Sequence, residues 1–356
     1  MSKQNSPLVL GTEHISKLLT QYAIPAIIAM TASSLYNMAD SIFIGHGVGP
    51  LAISGLALTF PLMNLAAAFG SLVGVGASTL VSVKLGQKDY EGANKVLGNV
   101  LVLNVVLGIA FTLVFMLLLD PILYFFGASE NTISYARDYM NVILMGNVIT
   151  HMYLGLNAVL RSSGFPKLAM YATLASVVIN CVLNPLFIFG FGWGIKGSAW
   201  ATVISQVISL AGQLIHFSRP KELLHFKKGI YRLKSEIVKG ILYIGMSPFL
   251  MNLCACLIVI LINRGLKEHG GDMAIGAYGI VNRVVFLFIM IIMGFNQGMQ
   301  PIAGYNFGAR QYSRVTEVTK LTMKWAIGVA TTGFLLCQLF PSMIVRMFTT
   351  DPELIE

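Results

Sequence analysis

Asp40 is the residue whose placement asks most of its surroundings. Of fifteen Asp and Glu residues, it is the one that falls within an apolar run long enough to be a membrane helix. A charged side chain at the centre of a bilayer costs about 2.5–3.5 kcal/mol on insertion scales, so an acid kept there is a candidate carrier of an ion or a proton. Ser33, Asn37 and Asp40 stand at i, i+4 and i+7, which on a helix is one polar stripe leading inward. Thr173, Ser176, Asn180 and Asn184 form a second stripe at helical spacing. Pro185 follows it and has no backbone N–H to give, which frees the carbonyl of Cys181. Neutral oxygens beside one carboxylate are hard-cation chemistry. Thr202, Gln206, Ser209 and Gln213 make a third stripe, and Thr150, Tyr153 and Asn157 a fourth. The bland alternative is that such residues tie helices together at about 0.6 kcal/mol each. That suffices for any one of them; four stripes around a single acid favour a site.

The elements that position these residues follow from where charge is missing. The chain has 356 residues, 56% of them hydrophobic and 11% charged, with mean hydropathy +0.74; soluble domains carry about a quarter charged. No Asp, Glu, Lys or Arg occurs between Lys95 and Asp120, Asp138 and Arg161, Lys167 and Lys196, Lys196 and Arg219, Lys239 and Arg264, or Lys324 and Arg346. Each run is about the length that crosses a ~30 Å hydrocarbon layer as helix. With the stretches from Lys17 to Lys84 and from Asp272 to Arg310, the sequence predicts nine spans: 18–44, 53–82, 96–119, 139–160, 168–192, 197–217, 240–263, 274–303 and 322–345. The fold class is an all-α polytopic membrane protein. A membrane barrel would need alternating ten-residue strands, which the sequence lacks.

The net charge of +9 is a topology signal. The N-terminus and every second connection hold eighteen of the 24 Lys and Arg residues, and the opposite connections with the C-terminus hold five. By the positive-inside rule the N-terminus faces the cytoplasm and the chain spans the plasma (inner) membrane; nucleic acid is not the expected partner. The first span is too long for a signal-peptide core and lacks a cleavage site, so it stays as a helix. Cys181, Cys254, Cys256 and Cys337 lie in apolar runs and read as packing residues.

A shift of 222 residues lays part of the chain on itself. Lys17 falls on Lys239, Gly76 on Gly298, Gly86 on Gly308, Lys88 on Arg310, Tyr90 on Tyr312 and Val96 on Val318. Two bundles related this way are a common build of secondary transporters. Residues 1–217 form the first lobe with helices 1–6, 218–239 a polar connector, and 240–356 a partial second lobe with helices 7–9. Arg283 and His151 also lie inside spans; the first snorkels or is hydrogen-bonded, and the second is hydrogen-bonded packing. Met290, Met293 and Met299 can line a wall that accepts unrelated apolar ligands. No phosphate-binding loop, metal-ligand spacing or nucleophile elbow occurs, so no enzyme activity is expected.

On these residues the sequence resembles the MATE (multidrug and toxic compound extrusion) transporters, nearest their bacterial and archaeal branch. The pieces that carry the resemblance are Ile24-Pro25-Ala26, Tyr36-Asn37-Met38-Ala39-Asp40, Leu85-Gly86-Gln87, Asn157-Ala158-Val159-Leu160-Arg161, Asn180-Cys181-Val182-Leu183-Asn184-Pro185 and Gly197-Ser198-Ala199-Trp200-Ala201-Thr202. The resemblance implies a two-lobe bundle of twelve helices, about nine of them in this sequence, which is read as C-terminally truncated. It implies efflux of cationic or amphipathic drugs in exchange for Na⁺ or H⁺, with the ion held by Asp40, Asn180, Asn184 and Thr202. Tyr36, Asn37, Asn157 and Met290 are the candidates for the substrate wall. The protein is expected to be a monomer whose partners are drug-like molecules and membrane lipid, with no cofactor beyond the coupling ion. Relatives often carry Asp where this chain has Asn184, and some carry an acid where it has Cys256, so coupling rests on Asp40. The alternative is a flippase of a lipid-linked sugar on the same broad fold, which would favour a more basic cavity than Arg283 alone makes.

Overall fold

Long apolar runs with few breakers become long helices. A computed structural model describes residues 7–346, without the side chains of 7–8, 259–260, 263–264, 266–277, 279–280, 283 and 344–346. After a 3-10 turn at Pro7–Gly11 come α1 (Ile15–Gly47), α2 (Pro50–Gly86), α3 (Tyr90–Leu117) and α4 (Leu119–Phe125). Then follow α5 (Ile133–Met145), α6 (Asn147–Ser162), α7 (Pro166–Pro185), α8 (Gly194–Phe217), α9 (Ser235–Gly308), α10 (Tyr312–Leu339) and α11 (Pro341–Arg346). No strand occurs among the described residues. Pro50 and Pro166 open α2 and α7 at positions where a helix needs no N–H. Among the described residues, seven helical stretches are long and apolar enough to cross a membrane, and eight if α5 and α6 count as one.

Three expected spans take an unexpected form, and the ninth, 322–345, falls in α10 and α11, which are not among these stretches. The run 139–160 is a pair, α5 and α6, bent by 55°. The break falls at Gly146, where a Cβ would lie 2.5 Å from the Val203 side chain of α8. Thr112 donates to the carbonyl of Leu144 at 2.8 Å, two residues before the break, which supports the local geometry. The runs 240–263 and 274–303 both lie in α9, a helix of 74 residues. No proline occurs between Pro248 and Pro301, so nothing removes a backbone donor. A rise of about 1.5 Å per residue makes such a helix far longer than a bilayer is thick, and only Ser235–Ile258 and Val284–Gly308 are apolar enough to cross. Contacts show that α9 reverses between these windows. Ile241, near one end, and Tyr305, near the other, touch Gly76 and Gly86 of the same helix α2.

These contacts form a seam in which each repeat mirrors the other. A Cβ on Gly86 would lie 1.9 Å from the carbonyl oxygen of Tyr305, and one on Gly308 2.1 Å from that of Val83. Val83 and Tyr305 are themselves 222 positions apart. Likewise Gly76 meets the backbone of Ile241 and Gly245, while Gly298 meets that of Tyr22 and Ala23. Only glycine lets two helices approach this closely. The two non-glycine residues with positive φ among those described are Lys88 (60°) and Arg310 (59°), another repeat pair.

The core lies on either side of the polar site. One cluster joins Leu19, Val81, Leu97, Leu156, Phe217 and Ile302 towards the N-terminal face; another joins Ile44, Leu56, Leu123, Tyr139, Met140 and Ile195 at the far end. The polar connector after α8 is held to α3 by two buried amides. Asn94 accepts from His225 N at 3.0 Å, and Asn99 accepts from Lys234 N at 2.9 Å.

Candidate functional site

The interior of the first lobe carries its polar groups on three helices that face each other. α1 packs against α7, and α7 against α8, so the stripes spaced three and four residues apart converge. Asp40 on α1 is 5% exposed. Its Oδ1 accepts hydrogen bonds from Asn184 Nδ2 on α7 and Ser198 Oγ on α8. Asn184 also donates to Asn180 Oδ1 at 3.4 Å, and Asn180 Nδ2 donates to Thr202 Oγ1 at 3.1 Å. Tyr36 extends the chain, its hydroxyl 2.8 Å from Thr202 Oγ1. One turn further, Ser176 Oγ donates to Ser205 Oγ at 3.3 Å.

Three features of this cluster bear on its chemistry. Every donor to Asp40 is neutral, and Asp40 forms no ion pair among the described residues. A carboxylate charge held this way has no compensating charge in a low-dielectric setting, so a cation or a proton is its natural complement. The side-chain oxygen of Asn184 is buried and has no hydrogen-bond partner, so it is a free ligand beside the acid. The end of α7 at Pro185 runs into a π-helical turn over Leu186–Gly190, an irregularity often found at functional sites.

The four residues expected to hold the ion, Asp40, Asn180, Asn184 and Thr202, therefore stand in one hydrogen-bonded chain, and Tyr36 joins them. The other expected wall residues stand elsewhere. Asn37 is exposed on the neighbouring face of α1. Asn157 is buried and ties α6 to α7, donating to the carbonyl of Ala169 at 2.9 Å and accepting from Arg161 at 2.7 Å. Met290 is half-buried on α9. The side chain of Arg283 lies outside the described residues. His151 is fully buried with Nε2 3.0 Å from the carbonyl of Ala66, as packing requires, and all four cysteines are free thiols. Sequence reasoning missed Ser198 as a ligand. It sits four residues before Thr202, so the stripe on α8 already pointed to it.

Comparison with known proteins gives a consistent family. A family model described as MatE matches residues 25–186 and 244–356. The multidrug export protein MepA of Staphylococcus haemolyticus is 30% identical over 341 residues, spanning 96% of this chain and 75% of that protein. MepA of Staphylococcus aureus is 30% identical over 346 residues, with the same shares. Among solved structures, an outward-facing multidrug resistance MATE family transporter of the MOP superfamily superposes with a TM-score of 0.92 at 26% identity, covering 99% of this chain and 79% of the other. A MOP superfamily transporter from Pyrococcus furiosus gives 0.91 at 26% identity, with the same coverage.

Proposed function

The chain belongs to the MATE family of transporters, and on that premise we propose that it exports cationic or amphipathic drug-like molecules in exchange for Na⁺ or H⁺. The observation that carries this reading is the carboxylate of Asp40, which among the described residues is the one buried acid, is held by neutral donors and has no basic partner. Exchange needs a group whose occupancy shifts the balance between inward- and outward-open states, since a ligand with equal affinity for both shifts nothing. Asp40 is that group. Its carboxylate holds either a proton or Na⁺; for Na⁺, the free Asn184 oxygen, the Asn180 amide oxygen and the Thr202 hydroxyl complete a shell of hard oxygen ligands. Tyr36, at the end of this hydrogen-bonded chain, couples the occupied site to the wall of α1.

The unit of function is one chain in the plasma membrane with its N-terminus in the cytoplasm, because the basic connections gather on that face. Residues 1–217 and 240–356 move as two lobes about the seam between α2 and α9, with 218–239 as connector. Loading of a cationic dye into inverted membrane vesicles, driven in turn by a proton gradient and a Na⁺ gradient, tests the proposal. One of the two should drive uptake, and uptake under neither would overturn it.

A further inference from the structure

We propose that the paired ends of α2 and α9 form a binding site for the phosphate headgroup of an anionic phospholipid, shared between the two repeats. A cavity of about 770 Å³ opens where these helices end, and its walls include Gln87, Lys88, Tyr305, Arg310 and Gln311. Lys88 and Arg310 end their helices in the same way. Asp89 N donates to Lys84 O at 2.9 Å and Lys88 N to Leu85 O at 3.0 Å; Gln311 N donates to Asn306 O at 2.8 Å and Arg310 N to Phe307 O at 3.1 Å. Glycine usually fills the left-handed position of this helix ending, because a side chain there carries a steric cost. The chain instead keeps a long cation at both repeat-related positions. The helix dipole favours a cation near a C-terminus, but α2 already has Lys84 in its last turn.

The two charges are also uncompensated. Neither Lys88 nor Arg310 forms an ion pair among the described residues. The adjacent acid, Asp89, is engaged by Lys84 at 2.9 Å and by Gly92 N at 2.8 Å. Depth in the membrane selects the ligand. Tyr90 and Tyr312, again a repeat pair, are exposed beside the cavity, and Phe307 packs edge-on against Tyr312 with ring centres 5.7 Å apart. Exposed aromatic rings at span ends mark the headgroup level, where basic side chains meet anionic lipid. A headgroup held by both cations bridges α2 and α9, so it binds while the seam is closed and favours that state.

This inference stands apart from the role of Asp40, so the two fail separately. The test uses the whole chain in nanodiscs of phosphatidylcholine with phosphatidylglycerol titrated in, and reads retained phosphatidylglycerol by native mass spectrometry. Each basic side chain at an anionic surface is worth about fivefold in affinity, so the Lys88→Gly/Arg310→Gly double variant should bind about thirtyfold more weakly. Glycine suits the left-handed positions, so this variant should melt no lower than the parent. The exchanged variant Lys88→Arg/Arg310→Lys should bind as the parent does. Unchanged retention in the glycine variant overturns the site, as does an equal loss in the exchanged one. Saturable binding of inorganic phosphate in pure phosphatidylcholine discs, abolished in the glycine variant, would assign the cavity to soluble phosphate and overturn the lipid.

Discussion

The two repeats agree in how they pack and disagree in what they can bind. At the seam, Gly86 and Gly308 each press on backbone of the partner helix, and Lys88 and Arg310 adopt the same left-handed conformation. Along the ion stripe the correspondence ends. The positions 222 residues after Ser33, Asn37 and Asp40 are Ala255, Val259 and Ile262, and Ile262 is 37% exposed. Close helix approach is a geometric demand that a two-fold contact makes on both partners at once, so glycine must appear twice. A coupling charge is needed once, and each further charge within the membrane adds its own insertion cost. The seam is thus a symmetric joint between unequal halves.

The largest expected effect tests that inequality directly. In the protein as it transports, Asp40→Asn should reduce gradient-driven efflux to background at normal expression, because neutral Asn inserts more easily than Asp but cannot trade a charge. Uptake at the parent rate would make the acid structural. Adding Ile262→Asp to Asp40→Asn sharpens the comparison: restored efflux would mean that the second repeat can carry the site as well.

The seam should respond equally from both sides. Gly86→Ala and Gly308→Ala each drive a methyl against backbone, which cannot swing aside, so each should cost about 3 kcal/mol, the upper end for overpacking. Gly212→Ala is the control, since a Cβ there meets nothing within 4 Å; it should be neutral or gain up to about 1 kcal/mol from helix propensity. Thermal midpoints of the purified protein measure all three. A large loss at Gly86 with none at Gly308 would break the symmetry of the joint.

Within the first lobe, Ser198→Ala removes one of the two donors to Asp40. Hydrogen bonds to charged groups contribute about 1.5–3 kcal/mol, and that loss should vanish when Asp40→Asn is already present. A double-mutant cycle on thermal stability reads the difference. Additive losses would mean that Ser198 is held by packing and not by the acid.

Periodicity made most of this site legible in the sequence. Asp40, Asn180, Asn184 and Thr202 lie at helical spacing in otherwise apolar runs, so the helices that bury them must bring them together. Ser198 was harder to see because it sits in Gly197-Ser198-Ala199, where a small residue reads as close packing. The bend at Gly146 has no proline to announce it and depends on Val203 arriving from α8. Asn94 and Asn99 satisfy the backbone of a connector more than 120 residues away in sequence, a pairing no local pattern encodes. The reversal within α9 was legible from charge alone, since Arg264, Lys267, Glu268 and Asp272 fall between its apolar windows, although no helix-breaking proline accompanies them.

The smallest effect concerns the turns that follow the seam, where the repeats differ in the side chain at the start of the next helix. Asp89 caps α3 by accepting from Gly92 N at 2.8 Å, whereas Gln311, the residue 222 positions on, makes no side-chain cap on α10. Asp89→Ala should therefore cost about 1 kcal/mol, and Gln311→Asp should gain a comparable amount. Acid separates the charge from the cap. The hydrogen bond from Lys84, joined by the one from Gly92 N, holds the Asp89 carboxyl below its ordinary range. A carboxyl lowered by folding stabilises fully above its unfolded value of about 3.9 and loses that contribution as pH falls through the folded value. The gap in thermal midpoint between the parent and Asp89→Asn should thus stay level from neutral pH to about pH 5 and close below about pH 4. With the Asp89 side chain 41% exposed, solvent screens the pair, so the charged part should stay under about 1 kcal/mol and shrink in salt. A gap that does not narrow at all as pH falls below about 4 would assign the turn to its geometry and leave the Lys84 pair without effect on stability.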